Sequence, residues 1–466
     1  MRKLAKLISF ILSVLFFITM YLVYRLNILP LKYFLAIGIV LLLLVLGLDF
    51  KLIRKKTGPF SRGVFSLFSI VLIGGICYLL TYINATYDFM NSMVLKDYEV
   101  VKYDVISSGN YTKIKDLNDK NLSYLKTDNN YDKLKFLIRK DISYNANSIS
   151  DISSLIDNLS SNKTDAIILE DSYYNLLKEE YNALENTKVV KSYKLIVKSK
   201  KEKSTKTTTS PFVLYISGID TYGEISSVSR SDVNILAVVN PSTEKILLVS
   251  IPRDYYVKLH GTEGYNDKLT HAGLYGVSMS VNTLEDLLST NIDYYLRLNF
   301  STLTKSIDLM GGIDVYSDKT FTPWTNKNMT IVEGVNHMDG EMALAFARER
   351  HAYASGDRHR GENQQKIITA MIEKMTDKSN IGNYKKILSS LEGTFETSMS
   401  YKDISNLFKM QISRNIKWNI TSISLDGTGS MQKTYSMGNR NLYVMIPDQT
   451  TVDNAKLQIK NTLEEK

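Results

Sequence analysis

Three stretches near the start of the chain, residues 4–24, 31–49 and 64–83, are too apolar to sit in water, and they restrict every other reading of it. Each is close to the roughly 17–25 residues that a helix needs to cross a bilayer. The loop after the second stretch carries Lys51, Arg54, Lys55, Lys56 and Arg62, whereas the first loop holds only Arg25 and Lys32. With Arg2, Lys3 and Lys6 at the start, this bias places the N-terminus in the cytoplasm. Three crossings then leave everything after about residue 85 outside the cell. A cleaved signal peptide would explain the first stretch alone, lacks a small-residue cleavage site and leaves the other two unexplained.

Beyond this anchor (1–90), the remainder of the 466 residues is long enough for two domains with cores of their own. The single cysteine, Cys77, lies in the third apolar stretch, so the exported part has no internal disulfide and no thiolate metal site. An external chain without disulfides suits a bacterial surface better than a eukaryotic secretory route. The net charge of +9 is partly the topology-setting loop and is weak evidence for nucleic acid, which is not expected as a partner.

Residues 95–200 read as a small α/β accessory domain with no concentration of catalytic residue types, either a spacer or a partner-docking module. The spacing of Ile152, Leu155, Ile156 and Leu159 predicts a helix over 149–159, followed by a buried strand at 165–169, a helix at 173–184 and a strand at 189–197. Residues 201–211, rich in Lys, Ser and Thr, read as a linker. A second domain, 212–450, opens with strands at 212–216, 233–239 and 245–251, the last two joined by a turn at 241–244. Helices at 277–288 and 301–310 precede a strand at 313–316. This order predicts an α/β/α arrangement, a mixed central sheet covered by helices on both faces.

The chemistry concentrates in this second domain. Asp220 follows one strand and Asp232 opens the next, so a sheet brings both carboxylates to one end. Two carboxylates and phosphate oxygens are a usual way to hold Mg²⁺, although single aspartates at such places are also common turn or capping residues. Arg230 stands two positions before Asp232 and shares its side of an extended chain. Pro252 ends the strand ladder and presents Arg253 and Asp254 at a fixed exit. Lys268 adds a point charge suited to phosphate, and His271 is equally readable as capping, packing or functional. Residues 345–350 read as a strand with Arg348 and Arg350 on one face, where like charges are costly unless an anion lies between them. A helix over 341–350, in which the arginines diverge, is the alternative. A loop at 356–360 then leads into a helix at 362–375, with Gln364 one turn beyond Arg360 and an anion-favouring N-terminus near Gly361. Gly-x-Ser-x-Gly, P-loop and His-Glu-x-x-His patterns are absent from the sequence, and its five histidines are unclustered, which argues against zinc.

Ser217-Gly218-Ile219-Asp220, Arg230-Ser231-Asp232, Ser250-Ile251-Pro252-Arg253-Asp254, Asp267-Lys268-Leu269-Thr270-His271-Ala272, Met310-Gly311-Gly312-Ile313-Asp314-Val315 and Ala347-Arg348-Glu349-Arg350 resemble, in order and spacing, the LytR-CpsA-Psr family. The layout of three spans, accessory domain and catalytic domain is similar to its capsule-associated CpsA branch in streptococci. The resemblance implies an enzyme in the plasma membrane of a Gram-positive bacterium. Its partners would be a polyprenyl-pyrophosphate-linked polysaccharide and peptidoglycan, and possible further partners are other capsule-assembly proteins. The polymer would pass as a phosphodiester to a muramic acid hydroxyl.

On the same resemblance, Asp220 and Asp232 hold Mg²⁺ (or Mn²⁺). Arg230, Arg253, Arg348, Arg350 and Arg360 grip the pyrophosphate, supported by Lys268 and Gln364. Asn363 departs from the family pattern, since many relatives carry an arginine there. Catalysis by positioning and charge neutralisation needs no nucleophile. Asp254 is readable as general base or as a structural partner of Arg253. The apolar helices near 274–288 and 303–310 are readable as a lipid pocket or as ordinary core. A hydrolase of the same pyrophosphate, a membrane-bound regulator of capsule transcription and a non-enzymatic carrier of lipid-linked polymer remain open.

Overall fold

The computed structural model describes residues 2–93, 98–109, 111–126, 128, 130–180, 184–198, 209–219, 229–353, 356–377, 395–438 and 440–465. Helices Arg2–Leu26, Leu31–Ile53 and Pro59–Met93 contain the three apolar stretches and outrun them, and all three are long and apolar enough to cross a membrane. Most of their apolar side chains face outward, as lipid contact requires, while Leu12, Phe16, Val45 and Leu48 form a narrow seam between them. Asp49 of the second helix accepts hydrogen bonds from Ser9 and Ser13 of the first, so this carboxylate is met by hydroxyls within the bundle.

The other described residues build two larger units, each around its own sheet with a core on either face. The first surrounds a five-stranded sheet in the order Tyr144–Ile149, Lys120–Leu125, Ala166–Glu170, Tyr98–Ser107 and Lys188–Lys198. Helix Ile152–Ser160 buries the four residues of its predicted stripe and is capped by Asp151, which accepts from the Ser154 amide at 2.9 Å. Three of the five strands and helix Tyr131–Ile138 lie in stretches whose polar Tyr, Asn and Lys content masks their periodicity.

The second unit surrounds a six-stranded sheet in the order Glu396–Thr397, Tyr294–Asn299, Phe212–Ile219, Ser231–Asn240, Lys245–Ser250 and Asn419–Ser424. Its strands are apolar on both faces. Val213, Tyr215, Leu236, Val238, Leu247 and Val249 point to one core, and the alternate residues Phe212, Ile216, Ile235, Ala237, Ile246 and Leu248 to the other. Burying each large aliphatic chain contributes about 1.5–3 kcal/mol. Helices Val277–Leu288 and Gln449–Glu464 cover the first face, and Asp357–Thr376 and Tyr401–Arg414 the second. Strand Ile313–Ser317 stands apart, pairing with Gly334–Met338 over a small core shared with helices Phe300–Leu309 and Gly340–Arg348. Leu284, Leu288, Ile307 and Met310 are thus packed in cores.

Two contacts fix how the parts sit. Helix Tyr401–Arg414 meets the anchor: Tyr401 donates to the Leu26 carbonyl at 2.8 Å, Lys409 to Asn27, and Ile28 packs into the adjoining core. The accessory sheet meets the other domain through Leu274, Met437 and Leu442, which share a core with Ile106 and Leu177, while Tyr173 donates to the Ser436 carbonyl.

Candidate active site

Four strands of the larger sheet run one way, and Ser231–Asn240 and the short edge strand Glu396–Thr397 run against them. The entry of that strand therefore lies beside the exits of its neighbours, and this puts Arg230 and Asp232 next to Arg253 and Asp254. Asp220, the other expected carboxylate, lies outside the described residues. Segment 267–275 closes the group, with Leu269 N bonded to the Tyr255 carbonyl and Thr270 N to that of Arg253. Gly273 has no room for a side chain, because a Cβ there would stand 2.3 Å from the Ser229 carbonyl oxygen, and this close approach seats the backbone of Arg230.

Asp232 is the centre. Its Oδ1 accepts from Arg253 Nη1 at 2.9 Å and from Thr270 Oγ1 at 3.1 Å, while Oδ2 is buried and has no partner among the described residues. Burial pushes this carboxyl up, but Arg253, Arg230 and Arg360 together outweigh it and hold it below the usual carboxylate range. Arg253 is drawn down by desolvation and raised further by Asp232, Asp254 and Asp357, so its net shift is upward. Asp254 sits between two cations. It lies 3.2 Å from Lys268 Nζ and 3.7 Å from Arg253 Nε, the arrangement of a counter-ion.

The next element brings the first correction. The helix expected at 362–375 runs from Asp357 to Thr376, so Gly361 lies inside it and offers no helix N-terminus. Its missing side chain serves close packing instead, since a Cβ would stand 2.5 Å from Ser250 Oγ. Arg360 then projects into the cleft with Asp232, Arg253 and Gln364, paired to Asp357 at 2.8 Å. Burial and the nearby Arg253 lower the Arg360 guanidinium despite Asp357. Arg230, Arg253, Lys268 and Arg360, four cations, face Asp232, Asp254 and Asp357, three carboxylates, so the described cluster keeps an excess of positive charge. Asn363 is buried and donates to the Phe346 carbonyl at 3.2 Å, tying two helices together rather than lining the cleft.

Arg348 and Arg350 bring the second correction. They are not neighbours on a strand: helix Gly340–Arg348 ends at the first, and the chain then turns. Glu349 makes the turn, its buried carboxylate accepting from the backbone N–H groups of Trp324 at 2.6 Å, His351 at 2.6 Å and Ala352 at 2.9 Å. Burial pushes the carboxyl up and the three N–H groups more than reverse it. Arg348 lies 4.5 Å over the Phe300 ring, and Arg350 is exposed, donating to His351 at 3.3 Å. Gln364 joins this flank to the cleft through the Ala347 carbonyl at 3.3 Å. Among the described residues, none of the groupings of three or more His, Cys, Asp or Glu suits a metal ion.

Residues 183–461 match the LytR_cpsA_psr family, more than half of the chain. The chain belongs to this family. Its similarity to the polyisoprenyl-teichoic acid–peptidoglycan teichoic acid transferase TagU of Enterococcus faecalis is 34% identity over 52% of this chain and 78% of that one. TagT of Bacillus subtilis, with the same activity in its name, is 31% identical over 54% and 77%. Among solved structures, B. subtilis TagV covers 55% of this chain and 99% of its own, at 28% identity and a TM-score of 0.47.

Several residues of this LytR-CpsA-Psr site had no separate signal in sequence. Arg358 lines the cleft and is held by Asp426 at 2.7 Å, a partner from the exit of a strand far along the chain. Asp267 is fully buried and accepts from the Lys268 amide at 2.8 Å, His271 at 2.7 Å, the Ser436 amide at 2.8 Å and the Ser436 hydroxyl. His271 is thereby a packing residue, and Lys268 is anchored to the loop against which the accessory domain rests.

Proposed function

We propose that this glycopolymer–peptidoglycan transferase takes a capsular polysaccharide, or a similar polymer, from a polyprenyl pyrophosphate carrier and joins it to peptidoglycan through a phosphodiester, with Mg²⁺ or Mn²⁺ assisting. The observation that carries this reading is the convergence of Arg230, Arg253 and Arg360 on the half-paired carboxylate of Asp232 at one end of a sheet, with Lys268 paired to the neighbouring Asp254. Guanidinium groups suit phosphate oxygens, and an excess of cations that burial has stripped of water favours a polyanion. The acceptor hydroxyl oxygen forms a bond to the sugar-bearing phosphorus, the anhydride P–O bond breaks, polyprenyl phosphate leaves and the hydroxyl proton passes to a base. Arg253, Arg360, Arg348 and Arg350 would balance charge on the transferring and leaving phosphates.

One donor supports the metal. Asp232 Oδ2, buried and unpartnered among the described residues, is a hard oxygen, and one or two carboxylates with phosphate oxygens and water are the usual Mg²⁺ set. Asp232 would hold the ion with Asp220, and the ion would neutralise phosphate charge. Asp254 is assigned to holding Arg253 and Lys268 in register. The charge bias of the anchor supports a cytoplasmic N-terminus with residues after about 85 outside. The prenyl chain would enter beside helix Tyr401–Arg414, which touches the anchor and whose Phe408 shares a core with the half-buried Leu298, Leu309 and Ile372.

The test is the full-length protein in a nanodisc with Mg²⁺, a short lipid-linked glycan and peptidoglycan. Polymer attached to peptidoglycan by a phosphodiester is the expected product. Free polymer with no conjugate would make the protein a hydrolase instead, and unreacted lipid-linked glycan a carrier.

A further inference from the structure

The turn that separates Arg348 from Arg350 also holds one of the two tryptophans of the chain. Trp324 is 62% exposed, yet its backbone is fixed: its N–H is the first of the three that bind buried Glu349, and the next turn is tied by Asn326, which donates to Glu341 at 2.8 Å and accepts from the Asn328 amide at 3.0 Å. An exposed large side chain is unremarkable by itself. An indole presented on a backbone locked by a buried carboxylate is different, because the cost of ordering the loop is met before any ligand arrives. The ring lies 4.8 Å from that of His351, tilted by 39°, and Lys327 Nζ stands 4.4 Å from its centre. His351 in turn accepts from Arg350. Arg350, His351, Trp324 and Lys327 therefore form a continuous strip on the surface beside the end of helix Gly340–Arg348.

We propose that this strip is a glycan subsite, in which the Trp324 face stacks a pyranose ring while Lys327, His351 and Arg350 meet its hydroxyl, acetamido or carboxyl groups. The axial C–H bonds of a sugar ring make one face apolar and weakly positive, which matches the negative face of an indole, and the equatorial hydroxyls need polar neighbours at the ring edge. A membrane-interface role for the indole is the competing reading. The polar surround of the ring favours sugar, as does the site of contact with the anchor, which is helix Tyr401–Arg414 and not this loop. The proposal rests on the transferase reading, and the ring belongs either to the donor polymer or to the peptidoglycan strand.

The chain offers its own probe. Trp418 is half-buried, donates to Gln411 at 3.2 Å and is outside the cleft, so Trp418→Phe leaves Trp324 as the one tryptophan, excited selectively on the red edge of the absorption band where tyrosine does not absorb. Full-length Trp418→Phe protein is titrated with peptide-free peptidoglycan strands, with a short-prenyl pyrophosphate trisaccharide, and with phosphatidylglycerol vesicles. A saturable change in emission with one of the two glycans identifies the source. Trp324→Ala then raises KM for that glycan about tenfold with a smaller change in kcat, and Trp324→Phe restores most of the loss. A response to vesicles alone, or wild-type KM for both glycans in Trp324→Ala, overturns the subsite. Glycan binding that needs Trp324 in a protein making no conjugate would keep the subsite and reject the transferase reading.

Discussion

The two flanks of the cleft hold their arginines by opposite means. On the sheet side, Arg253 is ion-paired to Asp232 and close to Asp254, which also pairs with Lys268, all in a largely buried setting. On the helix side, Arg348 lies over an aromatic ring and Arg350 is exposed beside a histidine. Gln364 links the two sides through the Ala347 carbonyl, and the described contacts of their arginines differ in kind, carboxylates on the first and rings on the second. A buried cation without a partner is prohibitively costly, so the sheet side carries its own anions, whereas water screens the exposed Arg350. One side is therefore part of the folded core, and the other is organised from behind by the buried carboxylate of Glu349.

Substitutions should separate the two. Arg253→Ala is expected to lower transfer by about 10²–10³-fold and also to lower Tm, because it leaves Asp232 without its nearest cation. Arg253→Lys should recover most of the Tm and little of the transfer. Wild-type conjugate formation in Arg253→Ala would remove the sheet side from the site. Asp232→Asn should abolish the response of turnover to added Mg²⁺ or turnover itself. Because the folded carboxyl lies below its unfolded value, its contribution to stability is present above the ordinary carboxylate range near about pH 4 and is lost as pH falls through the folded value. The gap in Tm between wild type and Asp232→Asn is thus full at neutral pH and closes in acid, and a gap independent of pH would contradict the assigned ion pairs.

Arg348→Ala should cost transfer about ten- to a hundredfold with little change in Tm, the signature of the helix side. Ser436→Ala removes one donor from buried Asp267 and should cost about 1–3 kcal/mol of stability, with a several-fold loss of transfer through Lys268. Arg350→Ala, at the exposed end, should change transfer least and leave Tm unmoved. A large drop in Tm for either helix-side variant would erase the distinction.

Much of this arrangement was legible in the sequence wherever a residue's role depends on its near neighbours along the chain. Pro252 after an apolar strand gave Arg253 its exit, Gly311 and Gly312 after a periodic run ended a helix with φ of 74° and 84°, and the Ile152–Leu159 spacing gave an accessory helix. The turn at Glu349 was not legible. Its carboxylate is satisfied partly by the Trp324 amide, 25 positions away, so local alternation suggested a strand where a helix ends. The early start of helix Asp357–Thr376 was hidden for a similar reason, because Arg358 and Arg360 look like loop residues until Asp426 and Asp357 are seen beside them.

Apolar run length, basic flanks and strand periodicity by themselves determined an anchor, two α/β units and a set of arginines and aspartates at strand ends, because hydrophobic burial and backbone geometry act over a few residues at a time. Tertiary structure alone decided which charges neutralise each other and that Asp267 ties Lys268 to the accessory domain through Ser436 and Tyr173. Ion pairing and burial depend on distance in space, and strands that run in opposite directions bring together residues that the chain keeps far apart.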